Sequence, residues 1–145
     1  MRWGAQPALV GIKHLNRLEQ VMAAREAQAR GCDEVVMLNQ DGEVCSLASA
    51  NLFAVIDGEL LTPPLIGSGI AGTRRRLVME QLAPALGLQV LERVIQPDQL
   101  LRADELLSCN SLRGIQPVAR LENRHWGDYP FCRALHARYL EHLQC

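Results

Sequence analysis

A lone primary amine, a glycine-spaced loop and a cluster of sulfur and imidazole side chains are the parts of this 145-residue sequence that could do chemistry. Lys13 is the only lysine, and every other basic residue counted with it is an arginine. An amine can lose its proton near neutral pH and attack a carbonyl, which a guanidinium cannot. Lys13 follows the apolar run PALVGI and precedes a helical pattern, so partial desolvation would lower its pKa and sharpen that reactivity. The competing reading is a surface lysine at a helix N-terminus, where the dipole mildly disfavours a cation. The loop Gly67-Ser68-Gly69-Ile70-Ala71-Gly72-Thr73-Arg74 also leads into a helix, whose free N–H groups would suit an anion. It fits neither GxxxxGK[ST] nor a GxGxxG turn after a strand, so nucleotide-binding fingerprints are absent. Cys132, His136, His142 and Cys145 are metal-ligand types within one segment, but that segment has helical apolar periodicity and no paired spacing, which argues against zinc. Five cysteines, Cys32, Cys45, Cys109, Cys132 and Cys145, make an odd set without CxxC and read as reduced, mostly buried thiols.

The elements that must position these groups follow from periodicity and punctuation. PALVGIK reads as a buried strand ending at Lys13. From His14 to Arg30, Leu15, Leu18, Val21 and Met22 recur at helical spacing, and Gly31 is a stop signal. Residues 34 to 62 read as an antiparallel meander turned at Asp41-Gly42 and Asp57-Gly58, where glycine takes positive φ cheaply. Between its strands SLASAN is small and polar, which suggests close backbone approach. The glycine-spaced loop opens a helix of about a dozen residues that stops near Gly87. LQVLERVI reads as a strand, PDQLLRA as a short helix opened by proline, and DELLSCN as another strand. SLRGIQPVARL runs into a last strand, and residues 130 to 143 close the chain as a helix. Strands in a meander with interspersed helices give an α+β class, without internal repeats.

Composition narrows the function classes. At 48% hydrophobic the chain can build one packed core. A formal charge of −1 gives no footprint for nucleic acid or an anionic membrane. No apolar run reaches the roughly 20 residues of a membrane helix, and the N-terminus lacks a signal-peptide apolar region, so the expected location is cytoplasmic.

Five ordered motifs carry a family likeness: GIKHLNRLEQV, DEVVMLNQDGEV, ANLFAVIDGELLTPP, GIAGTRR and ADELLSCNSLRGIQPV. Together they resemble the fold-type IV pyridoxal-phosphate enzymes, the class IV aminotransferases and aminodeoxychorismate lyase. The IKHLNRLEQV form is most similar to the lyase, which makes p-aminobenzoate and pyruvate from 4-amino-4-deoxychorismate in folate biosynthesis. The likeness implies the fold of the cofactor-binding C-terminal domain of those enzymes, a mixed antiparallel sheet or pseudo-barrel with flanking helices, over residues 1–145.

It also implies pyridoxal 5'-phosphate as cofactor, with Lys13 as the residue that holds it as a Schiff base and later moves a proton at the substrate carbon. By the same likeness the N–H groups of Thr73 and Arg74 after Gly72 would bind its phosphate, and Ile70 would pack on the ring face. Ser111 falls where related aminotransferases place a phosphate-binding threonine, and Asn51 belongs to the NLF segment lining the site. Ser46 stands where the family usually has a glutamate that pairs with the pyridine nitrogen, and a hydroxyl supplies no compensating charge. The family's further N-terminal domain has no counterpart before Lys13, so half of the site is expected to be missing, with weak or no activity for this chain. The partners implied are a small-molecule substrate and a second copy in a homodimer. Two other readings stand beside the lyase: a class IV aminotransferase, and a non-catalytic domain that retains the fold.

Overall fold

Strand turns in this protein fall where glycine and its neighbours can take left-handed backbone. The computed structural model describes residues 1–144, so Cys145 lies outside the described residues. Asp57 and Gly58 both have positive φ, 52° and 77°, the pair that a two-residue type I′ turn needs, and they join β3 (Asn51–Ile56) to β4 (Glu59–Thr62). The Asp41-Gly42 turn joins β1 (Val36–Leu38) to β2 (Val44–Leu47), braced by the Glu43 N–H donating to Asn39 Oδ1 at 2.8 Å. Further on come β5 (Val90–Glu92), β6 (Glu105–Asn110) and β7 (Gly114–Pro117). The main sheet has the order β5-β4-β3-β6-β7, antiparallel except for the parallel pair β4 and β5.

The strand period of two divides the core. From β3, Phe53 and Val55 point to one face, where they meet Leu107, Ile115 and Leu135. Leu52 and Ala54 point to the other and pack with Leu61, Leu106, Leu100 and Trp126. The helices α1 (Leu18–Arg30), α2 (Thr73–Leu77), α3 (Pro97–Arg102) and α4 (Pro130–Leu143) surround these faces. A third cluster, Trp3, Ala23, Met37, Cys45 and Ala48, lies beneath α1.

Glu105 ties α4 to the sheet. Its carboxylate, 2% exposed, accepts the N–H groups of Phe131 and Cys132 at 3.0 and 2.6 Å, satisfying donors at the helix start. Burial nevertheless pushes this carboxyl above its ordinary pKa, against the lowering pull of the two N–H groups.

Several sequence expectations need correction. PALVGIK is not a buried strand: Pro7 opens a 3-10 turn over Pro7–Leu9, Gly11 has φ +79°, and the one pairing is a bridge from Gly11 to Ile70. Its partner is an irregular loop, so nothing covers the segment on both faces. The following helix starts at Leu18 rather than His14, because the His14 Nδ1 accepts the Asn16 N–H at 3.1 Å and turns the chain first. Its apolar stripe faces outward: Leu15 is 100% and Leu18 71% exposed, while Ala23 and Ala27 pack inward. The meander splits, since β1 and β2 form a separate two-stranded sheet. The helix after the glycine loop widens into a π turn over Val78–Leu82, where Ala83 N–H donates to Val78 C=O, before Pro84. Proline lacks an N–H and its ring would collide with the carbonyl four residues back, which the wider turn avoids. The last apolar stretch ends in a small hairpin, β8 (Arg120–Leu121) and β9 (Arg124–His125), turned at Glu122 with φ 50°.

Candidate active site

One end of the main sheet collects the loops that matter. Because β3 runs antiparallel to both β4 and β6, the start of β3, the end of β4, the end of β6 and the start of β7 share an edge. Asn51 therefore stands opposite Cys109, two residues before Ser111. The segment from Pro63 to Gly72 leaves β4 at the same edge.

Asn51 pins that segment. Its Nδ2 donates to the Ile70 carbonyl at 2.9 Å. A Cβ on Gly72 would run into the Asn51 side-chain oxygen, so glycine is required there by close approach. The lysine segment joins on the other side: Gly11 N–H donates to Gly69 C=O at 3.0 Å, and Ala71 N–H to Gly11 C=O at 2.9 Å. The two chains run parallel through this bridge, so Lys13 follows Gly11 in the direction in which Thr73 follows Ile70. Lys13 itself is exposed, contrary to the expected partial desolvation, because the segment around it is a surface loop and not a buried strand.

The N-terminus of α2 is built to leave donors open. Gly72 occupies its N-cap and no side chain caps the first turn, while the Arg76 N–H already reaches the Gly72 carbonyl at 3.0 Å. Across from it the Thr73 hydroxyl lies 3.2 Å from the Ser111 hydroxyl, both exposed. Two exposed hydroxyls beside open N–H groups form a donor set suited to a phosphate monoester. Asn110 sets the Ser111 turn by accepting the N–H groups of Leu112 and Arg113 at 3.0 and 2.7 Å, and by donating to Ser49 C=O at 3.3 Å. Arg75 is buried and braces the loop from behind, donating to Pro63 C=O at 3.1 Å and pairing with Glu92.

Ser46 is buried on β2, and its hydroxyl donates to Ala50 C=O at 2.8 Å. The structure thus brings Asn51, Ile70, Gly72, Thr73, Arg74 and Ser111 to one edge, with Lys13 on the adjoining segment. Ser46 sits below the SLASAN turn that leads into Asn51. Nearby thiols are not nucleophiles at neutral pH: burial pushes Cys45 up to about 11 and Cys109 up to about 12. Among the described residues no group of three His, Cys, Asp or Glu side chains could hold a metal ion. None of the helices described is long and apolar enough to cross a membrane.

Sequence reasoning missed two supports of this edge. Asn110 carried a usable signal, since asparagine at a strand end turns the chain by accepting N–H groups two and three residues on. Arg75 carried none, because its pairing with Glu92 is a long-range event.

The profile of the amino-transferase class IV family matches residues 1–121. The chain belongs to that family. Aminodeoxychorismate lyase of Vibrio harveyi is 43% identical over 119 residues, covering 81% of this chain and 43% of its own. The crystal structure of 4-amino-4-deoxychorismate lyase from Pseudomonas aeruginosa superposes with a TM-score of 0.91 at 37% identity, over 99% of this chain and 53% of that one. An aminotransferase from Brucella abortus, solved bound to PLP, matches with a TM-score of 0.83 at 25% identity, over 89% of this chain and 46% of that one. The chain thus spans about half the length of these relatives. As a class IV member it has the α+β architecture expected, a mixed sheet with flanking helices.

Proposed function

We infer that this chain is the cofactor-binding portion of an aminodeoxychorismate lyase-like enzyme that uses pyridoxal 5'-phosphate. What carries the reading is the meeting of the only lysine's segment with the loop whose Thr73 hydroxyl faces Ser111 at 3.2 Å. The donor set fits the cofactor: an amine for its aldehyde, and open N–H groups with two hydroxyls for its phosphate. The similarity of the whole chain to the Pseudomonas lyase favours the lyase over other members of the family.

In this reading Lys13 holds the cofactor covalently through Nζ, while the N–H groups of Thr73 and Arg74 and the Ser111 hydroxyl hold the phosphate. Asn51 keeps the Ile70 carbonyl, and so the loop, in place, and presents Ile70 to one face of the ring. When bound, the cofactor supplies an electron sink that makes the substrate's ring-carbon proton acidic. Lys13 Nζ would accept that proton, and departure of the enolpyruvyl group, released as pyruvate, would leave the aromatic ring of p-aminobenzoate. Ser46 cannot supply the negative charge that would keep the ring nitrogen protonated, so the sink is weaker than with a carboxylate at that position.

Absorbance titration with pyridoxal phosphate, on the wild type and on Lys13→Ala, tests the assignment. An imine band that needs Lys13 is expected, and the same band in Lys13→Ala would overturn it. Formation of p-aminobenzoate from 4-amino-4-deoxychorismate tests the reaction assigned. Amino transfer dependent on a keto acid, by the full-length enzyme, would support a class IV aminotransferase instead, a reading favoured by the Brucella neighbour. Absence of any Lys13-dependent band would point to a non-catalytic domain.

A further inference from the structure

Tyr139, on α4, lies beyond residue 121, where the match to the family profile ends. It is 7% exposed, and residues of two separate segments contact its ring. The Arg74 guanidinium carbon is 5.1 Å above the ring centroid, within cation–π range. Gly114, at the foot of the Ser111 turn with φ +69°, meets the ring edge so closely that a Cβ there would stand 2.7 Å from Tyr139 Cε1. Arg74 Nε is buried without a hydrogen-bond partner, and its guanidinium rests on the π face of Tyr139. Arg74 belongs to the first turn of α2 and follows Thr73, and Gly114 opens β7 three residues after Ser111, whose hydroxyl faces that of Thr73.

We propose that Tyr139 is a positioning residue for phosphate recognition: its ring touches both Arg74 and Gly114 and so couples the Thr73 and Ser111 turns. Held by the ring, the Arg74 side chain fixes its own backbone N–H, and contact with Gly114 fixes the turn that carries Ser111. The inference rests on the reading that this edge binds the cofactor phosphate. It extends that reading to a residue that touches neither phosphate nor reacting atoms.

The test compares the affinity of the chain for pyridoxal phosphate with that for pyridoxal, which keeps the aldehyde and lacks the phosphate. Both are followed by the imine band, and Lys13, as the only lysine, keeps the side-chain signal to one site. Tyr139→Leu should weaken pyridoxal phosphate binding about tenfold and leave pyridoxal binding unchanged. Tyr139→Phe, which keeps the ring, should retain the wild-type preference. Leu135→Ala, in the same helix and core but off the loops, should lower stability without changing the preference. If Tyr139→Leu does not fold, Gly114→Ala decides, because its methyl group would clash with the edge of the Tyr139 ring, displace it, and should lower the preference in the same way.

An undiminished preference in folded Tyr139→Leu or Gly114→Ala would overturn the proposal. So would an equal loss in Leu135→Ala, which would reduce Tyr139 to general packing. A wild type that binds both compounds equally would overturn the phosphate reading and this inference with it.

Discussion

Gly72 is the residue on which the candidate site depends most directly. Its hydrogen occupies the space where any Cβ would meet the Asn51 side chain, the same side chain that holds the Ile70 carbonyl. Gly72→Ala should therefore destabilise the protein by about 1–3 kcal/mol, as overpacking does. Urea midpoints measure the loss, and cofactor affinity should fall with it. Ser46 offers a test of opposite sign. Ser46→Glu buries a carboxylate without a partner in the free protein, so stability should drop. If the cofactor's ring nitrogen lies nearby, pyridoxal phosphate should raise the midpoint of Ser46→Glu more than that of the wild type, and an equal rise in both would count against that placement. Glu105 makes a prediction about pH. Burial raises its carboxyl, so the folded protein holds this proton more tightly than the unfolded chain does. The stability contributed is fully present below the ordinary carboxylate range and is lost as pH rises through the raised value. Comparing urea midpoints across about pH 4 to 7, Glu105→Gln should remove that downward slope.

At the scale of elements, what could be read in the sequence was whatever local chemistry decides. Gly31 ends α1 in left-handed backbone, and the Asp57-Gly58 turn and the limits of α4 fall where periodicity and punctuation put them. The failures are tertiary. PALVGI has the composition of a core strand, but Pro7 and Gly11 break it, and only the bridge to Ile70 shows what it is for. The β8–β9 turn uses Glu122 in a conformation that glycine or asparagine usually signals, so no turn was legible there. Motifs marked Lys13 and the Thr73 loop, whereas the braces from Arg75 and Tyr139, and the Asn110 bond to Ser49, join residues far apart in sequence. The clearest inversion is α1, whose large apolar residues face out while alanines face in. Helical periodicity identified the stripe but could not say which face was covered. At dilutions that keep the chain monomeric, Leu18→Glu should change stability by no more than about 0.5 kcal/mol, whereas Ala23→Leu should cost about 1–3 kcal/mol. Thermal melts of the two variants check the contrast.

For the whole molecule, the exposed stripe of Ile12, Leu15, Leu18, Val21 and Met22 lies just beside Lys13 in sequence and follows it into α1. Apolar surface so concentrated favours association with another apolar surface. Light scattering should show self-association of the chain, and the double variant Leu18→Glu/Met22→Glu should shift it toward monomer. A monodisperse monomer for the wild type would dispose of this expectation. The inside-out helix then has a consequence for how firmly the protein is folded at all. A face that is covered only when molecules meet makes the folded state a participant in a mass-action equilibrium, so the melting temperature should climb with protein concentration and fall on dilution.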